Sequence, residues 1–160
     1  MERTMPTVRR LRNVPVAIRS LSTLAKPDYV DLFTVAAASA TRRSPEQWAR
    51  AGLEDAAGLG GQFVWRVLLG LRLGSVTSPD RVGGWKIAKR SKGWIRLRAA
   101  SWFLTAEIVV SVDDGTASVA TFIGYDRAVA ALVWPALSAG HRRAMPGLLR
   151  HAAKLAAEAT

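Results

Sequence analysis

The fold of this chain is decided by residues 104–125, LTAEIVVSVDDGTASVATFIGY, which predict two antiparallel strands joined by a tight turn. The turn is placed at Asp114-Gly115, because an Asp-Gly pair between alternating apolar runs supplies the positive φ that a tight hairpin needs. Side chains alternate between the faces of a strand, so a slip of one residue would scramble the apolar face. The inward-facing pairs predicted by counting from the turn are Val112/Ala117, Val110/Val119, Ile108/Thr121, Ala106/Ile123 and Leu104/Tyr125.

A second hairpin is predicted immediately before the first, because residues 91–93 have the length and the closing glycine of a three-residue loop. The predicted cross-strand pairs are Ile95/Lys89, Leu97/Ile87 and Ala99/Trp85, and a four-residue connection then brings Ala99 opposite Leu104. The meander therefore has four strands, at residues 85–90, 94–99, 104–113 and 116–125.

One strand and two helices are predicted before the meander. Tyr29–Ala36 alternates as a strand does, and Ser44 opens a helix that runs to about Asp55, with Pro at its first position and Gln47 completing a capping box. We expect Trp48 and Leu53 to be its buried residues. A second helix is predicted from about residue 62 to 73, with an apolar stripe formed by Phe63, Val64, Val67, Leu68 and Leu71.

The chain after the meander changes to a helical period. Asp126 is the predicted N-cap, and residues 128–134 and 141–159 are predicted to be helical. Pro135 and Pro146 should kink or break this segment, since proline removes a helical hydrogen bond.

Composition indicates one globular domain, because the chain has 160 residues of which 49% are hydrophobic. It has no cysteine, and His141 and His151 lack metal-ligand spacing, so we expect no disulfide, metal or cofactor. No apolar run is long enough for a transmembrane helix, and no secretory signal pattern begins the chain. We therefore expect a cytoplasmic protein, in which residues 28–160 form the domain and residues 1–27 a basic extension that is flexible or peripherally docked.

The net charge of +11 has two interpretations. One is a solvated basic surface; the other is a binding surface for nucleic acid, anionic lipid or acidic partners that uses residues 1–27 and the outward arginines of the meander. The first is favoured, because the sequence contains no recognisable nucleic-acid-binding motif.

The order of elements indicates an α+β fold of the helix-grip type, in which a curved antiparallel sheet packs on a long C-terminal helix and two short helices follow the first strand. Sheet and helix need not close completely in such a fold, so a ligand cavity can lie between them.

Several short segments carry a further signal: DYVDLF at 28–33, SPEQW at 44–48, Phe122 with YDR at 125–127, WP at 134–135 and HRR at 141–143. They resemble the opening and the closing signature of a bacterial family of unknown function in the START-like, or polyketide-cyclase-like (SRPBCC), superfamily. The resemblance covers about residues 28–155. It implies a START-like helix-grip domain with a cavity, without implying a particular reaction.

The side chains that we expect to line the cavity are Trp65, Trp85, Leu97, Leu104, Ile108, Thr121, Ile123, Tyr125, Trp134 and His141. His141 is also the candidate acid or base, because imidazole titrates near neutral pH. The alternative is a structural histidine at a helix junction. Glu107 is predicted on the outer face, in a cross-strand ion pair with Arg96 or Arg98.

These patterns favour a protein that holds a hydrophobic or amphipathic small molecule between sheet and helix. One alternative is a cyclase- or hydratase-like enzyme that uses His141 with Thr121 or Tyr125. The other is a basic module that binds nucleic acid or acidic partners. The sequence leaves the ligand and the oligomeric state open.

Overall fold

The computed structural model describes residues 6–38 and 40–158, which form an α+β fold with a curved, seven-stranded antiparallel sheet and a long C-terminal helix. The strand order is β1-β2-β7-β6-β5-β4-β3. The strands are β1 (Val8–Arg10), β2 (Tyr29–Ala36), β3 (Arg81–Val82), β4 (Trp85–Arg90), β5 (Trp94–Ala100), β6 (Leu104–Asp113) and β7 (Thr116–Tyr125). The helices are α1 (Val16–Arg19), α2 (Pro45–Arg50), α3 (Gly58–Phe63) and α4 (Ala130–Glu158), and the π-helical turns Ala51–Ala56 and Val64–Leu68 extend α2 and α3.

The register predicted for the central hairpin is confirmed along its whole length, from Asp113 opposite Thr116 to Leu104 opposite Tyr125. Gly115 at its tip has φ +72°, the left-handed conformation that only glycine adopts without strain. The strand predicted at Tyr29–Ala36 is confirmed as β2, which lies between β1 and β7 and pairs with both.

The preceding hairpin differs from its prediction in register. Leu97 does oppose Ile87, but Ile95 opposes Arg90 instead of Lys89. The cause is an irregularity of the β-bulge type between Ile87 and Lys89, where one strand has an extra residue. Residues 91–93 do connect β4 to β5 as predicted, although Gly93 is not among the glycines with positive φ.

The connection between β5 and β6 is also shifted. Ala99 opposes Ala106, not Leu104, and Ala100 opposes Thr105. A shift of two residues keeps every side chain on its predicted face, because the period of a strand is two. The division into inner and outer faces therefore survives the error.

The capping box of α2 is confirmed: the Ser44 hydroxyl accepts from the backbone N–H of Gln47 at 3.1 Å, and the Gln47 side chain accepts from the Ser44 N–H at 2.8 Å. Trp48 and Leu53 are buried as predicted.

The stripe predicted for the second helix is wrong. The helix begins earlier, at Gly58, and Phe63, Val67 and Leu68 are exposed, while Leu71 is buried beyond its end. Phe63 and Val67 do keep helical spacing, but the helix turns Trp65 toward the core and packs it on the buried Trp85, so hydrophobic periodicity alone selects the wrong face.

The C-terminal helix α4 is continuous for 29 residues, contrary to the predicted interruption by Pro135 and Pro146. Buried residues on both sides of each proline, among them Trp134 and Met145, pack on the inner face of the sheet and hold the helix together across the missing hydrogen bonds. Asp126 is not its N-cap, because α4 begins at Ala130 and the Asp126 carboxylate accepts from the Thr105 hydroxyl at 2.7 Å. Ala159, the predicted helix end, lies outside the described residues.

The sheet carries apolar clusters on both faces. The inner cluster, under α2 and α4, is the main core. The outer cluster forms where residues 14–24 cross the sheet, with Val14 buried against Leu32, Val109 and Phe122. The basic N-terminal segment therefore covers the outer face and leaves the inner face to α4.

Candidate functional site

A carboxylate lies on the otherwise apolar inner face of the sheet. Asp31 is in the middle of β2, directly opposite Thr121 of β7, and is only 1% exposed. A buried charge is costly unless it is paired and hydrogen-bonded. The neighbours of Asp31 therefore indicate what the site can do.

One oxygen of Asp31 has two partners. The Tyr29 hydroxyl donates to Asp31 Oδ2 at 2.7 Å, and His141 Nε2 lies 2.8 Å from the same oxygen. Tyr29 and Asp31 are two residues apart on one strand and therefore share its inner face. The His141 contact joins positions 110 apart in the chain and ties α4 to the sheet.

Aromatic rings surround the contact between Asp31 and His141. Trp134 and His141 are seven residues apart on α4, which places them on one side of the helix. The Trp134 ring centroid is 5.2 Å from that of Tyr29 and 5.3 Å from that of His141. We call Tyr29, Asp31, Thr121, Trp134 and His141 the Asp31 cluster.

Three polar atoms of the Asp31 cluster are buried and have no hydrogen-bond partner among the described residues: Asp31 Oδ1, Thr121 Oγ1 and Trp134 Nε1. An unsatisfied buried polar group costs about 1–3 kcal/mol, so native proteins rarely retain one without a reason. The three atoms supply an acceptor, a hydroxyl and a donor.

The protonation of Tyr29 follows from its surroundings. Burial, followed by the hydrogen bond to Asp31 and its negative charge, raises the pKa of Tyr29 to about 12, although Arg142 acts in the opposite direction. Tyr29 is therefore a neutral phenol at physiological pH and acts as a hydrogen-bond donor, not as a base.

The enclosed space between sheet and α4 is small, although an open recess of about 370 Å³ lies beside the end of β2 and the C-terminal end of α4. A cavity of about 20 Å³ lies between the sheet, α2 and α4. It is lined by apolar side chains that include Trp48, Ile108, Val119, Met145 and Leu149, and by no residue of the Asp31 cluster. This cavity has room for about one water molecule, well below the volume of a pocket for a drug-sized ligand.

The predicted site residues fall into three groups. Thr121, Trp134 and His141 come together in the Asp31 cluster, whereas Trp65 and Trp85 form a separate edge-to-face pair with centroids 5.7 Å apart. The remaining residues belong to the inner face of the sheet: Leu97, Leu104, Ile108 and Ile123 are buried in the main core, and Tyr125 is half-buried at the end of β7.

Sequence reasoning missed Asp31 and Tyr29 as site residues. The signal was present, since the alternation of β2 puts Asp31 on the same face as Phe33 and Val35, where an acid is out of place. Its partner could not be found in the same way, because nothing local connects β2 with position 141.

Comparison of the chain with protein-family models, with curated proteins and with solved structures found no match. No helix within the described residues is long and apolar enough to cross a membrane. Within the same residues, no group of three or more His, Asp or Glu side chains is arranged to hold a metal ion.

Proposed function

We propose that this protein binds a hydrophobic or amphipathic small molecule between the sheet and α4, with the polar head of the ligand at the Asp31 cluster. The observation that carries the proposal is that three buried polar atoms of the Asp31 cluster, contributed by three different elements, have no partner in the described part of the chain. Membership in the START-like superfamily and the helix-grip assignment belong to the same proposal. They are supported by the antiparallel sheet and by the packing of α4 on its inner face.

Binding of such a ligand requires α4 to move. The cavity of about 20 Å³ cannot accept an apolar molecule larger than water. The inner face of the sheet is covered by α2 and α4, so a ligand reaches the Asp31 cluster when α4 is displaced. Pro135 and Pro146 each remove one hydrogen bond of α4, which lowers the cost of bending the segment that carries His141.

The experiment is native mass spectrometry of freshly purified protein, with denaturing extraction of any bound compound and a parallel titration with anilinonaphthalene sulfonate. We expect a retained small molecule or saturable binding of the fluorescent probe. A clean mass of the chain alone together with no saturable probe binding would overturn the proposal.

Thr121→Val tests the place of the ligand. The substitution removes a hydroxyl without a partner among the described residues, so the ligand-free protein should keep its stability or gain slightly. Affinity for the retained compound should fall about fivefold, because the hydrogen bond to Thr121 is lost. The matched control is Thr34→Val, on the same sheet but on the opposite face of β2 from Asp31. Equal retention by both variants would place the ligand elsewhere.

A second candidate function is acid–base catalysis by His141, favoured by its 2.8 Å contact with Asp31. A carboxylate that binds one imidazole nitrogen orients the ring, and the other nitrogen is left to exchange a proton with a substrate. We expect His141→Asn to slow turnover of the retained compound or its analogues about a hundredfold or more. His151→Asn, exposed on the same helix, is the matched control and should leave turnover unchanged. Equal rates in both variants would rule this role out.

A further inference from the structure

An exposed apolar surface lies on the helix that begins at Gly58. Leu59 is 90% exposed, Phe63 57%, Val67 62% and Leu68 42%. The first three are spaced four residues apart, and the π-helical turn brings Leu68 to the same side. We call these four residues the α3 stripe. Contiguous apolar surfaces of this kind mark interaction sites more often than isolated exposed residues do.

The opposite side of this helix is anchored to the domain. The Gln62 amide donates to the carbonyl of Gly83 at 2.6 Å, and Trp65 packs edge-on against the buried Trp85. A β-carbon on Gly83, in the turn between β3 and β4, would lie 3.5 Å from the Trp65 ring, which shows how closely the helix approaches the sheet. Contacts on the other side of the helix therefore fix it to the domain, and the α3 stripe faces outward.

Two arginines lie beside the α3 stripe. Arg66 and Arg72 are the charged residues of the segment 56–79, while of the acids just outside it Glu54 pairs with Arg50, and Asp55 and Asp80 are exposed. The Arg66 guanidinium donates to the neutral oxygens of Gln62, Leu73 and Gly74, so these bonds leave its charge uncompensated. Arg72 is exposed beyond the end of the helix.

We propose that the α3 stripe docks this protein on an anionic lipid surface. Apolar side chains on one side of a helix with arginines beside them match the interface of a bilayer, where acyl chains lie beneath negatively charged headgroups. A second copy of the chain fits less well, because each copy has a net charge of +11 and would bring like charges together. The docking surface is separate from the Asp31 cluster and does not depend on the function proposed for it.

The test is co-sedimentation with vesicles made of equal parts phosphatidylglycerol and phosphatidylcholine, beside vesicles of phosphatidylcholine alone. The wild-type protein should bind the anionic vesicles and not the neutral ones. Phe63→Asp combined with Val67→Asp should weaken binding at least about tenfold, because both side chains would leave the acyl region.

The matched control is Val16→Asp combined with Leu132→Asp. These side chains are 81% and 76% exposed outside the α3 stripe, and the pair adds the same negative charge. Its binding should stay within about threefold of wild type. The exposed positions make all four substitutions compatible with folding, which an unchanged melting temperature checks for each variant.

Four outcomes would overturn the proposal. Equal weakening by the two double variants would mean general electrostatic attraction. Equally tight binding to neutral vesicles would remove the role of lipid charge. Absence of vesicle binding would remove the lipid surface itself. A lipid-free dimer that Phe63→Asp with Val67→Asp dissociates would assign the stripe to a second copy.

Discussion

Glu107 is a fully buried carboxylate on the outer face of the sheet, covered by the N-terminal segment. The Ser22 hydroxyl donates to it at 2.6 Å and the Thr23 backbone N–H at 2.8 Å, while the Thr23 hydroxyl forms a further short contact. Arg98 Nη1 lies 3.1 Å from the same carboxylate, which confirms the predicted cross-strand ion pair. The Glu107 carboxylate, predicted on the outer face of the sheet, thus receives hydrogen bonds from residues more than 80 positions away in the sequence.

The pKa of Glu107 should make stability depend on pH. Burial raises this pKa, but the hydrogen bonds from Ser22 and Thr23 and the charge of Arg98 outweigh burial and hold it below its ordinary value of 4.5. The unfolded chain therefore takes up the proton first as the pH falls. The stability contributed by Glu107 is present above that ordinary value and is lost as the pH falls through the lower, folded-state pKa.

Chemical denaturation across acidic pH measures this effect. We expect Glu107→Gln to lower the free energy of unfolding at neutral pH by about 1–3 kcal/mol and to flatten its decline in acid. Glu46→Gln removes a surface acid paired with Arg90 and should cost at most about 1 kcal/mol. An unchanged acid slope in Glu107→Gln would contradict the assignment.

Among the elements, the N-terminal segment contributes more structure than its composition suggests. β1 adds to the edge of the sheet beside β2, and the chain beyond it buries Val14 in the outer cluster. The leucines at 21 and 24 and Ile18 pack around the same cluster. We call residues 8–24 the strap. The basic side chains that the structure describes here are exposed: Arg9, Arg10, Arg12, Arg19 and, just beyond the strap, Lys26.

Two valines in this strap provide a matched pair. Val14 is 8% exposed and Val16 is 81% exposed, only two residues away. Val14→Asp should lower the free energy of unfolding by about 2–4 kcal/mol, because it buries an unpaired charge among apolar side chains. Val16→Asp should stay within about 0.5 kcal/mol of wild type in the same denaturation experiment. Equal, small effects would mean that the strap is not docked on the sheet in solution.

For the molecule as a whole, the sheet separates two layers with different roles. The strap covers one face and satisfies Glu107, whereas α4 covers the other and meets Asp31. Each face holds a buried acid that is paired with an element distant in the chain. Glu107 has a full set of partners, whereas Asp31 keeps one oxygen without a partner among the described residues.

The features that sequence alone determined are those governed by neighbouring residues. Asp114-Gly115 defined the central turn, because left-handed backbone is accessible to glycine without a steric penalty. The two-residue period then set the register of the central hairpin, and Ser44 with Gln47 set the start of α2. Each of these depends on sterics or hydrogen bonds within a few positions.

Only the tertiary structure decided the rest, because it depends on contacts between distant parts of the chain. The irregularity after Ile87 is invisible in a pattern of alternation, and the continuity of α4 past Pro135 comes from its packing on the sheet. The contact between Asp31 and His141 joins two elements that no spacing rule relates. Local sterics and hydrogen bonds select turns and strands, whereas burial of distant side chains against one another assembles the site.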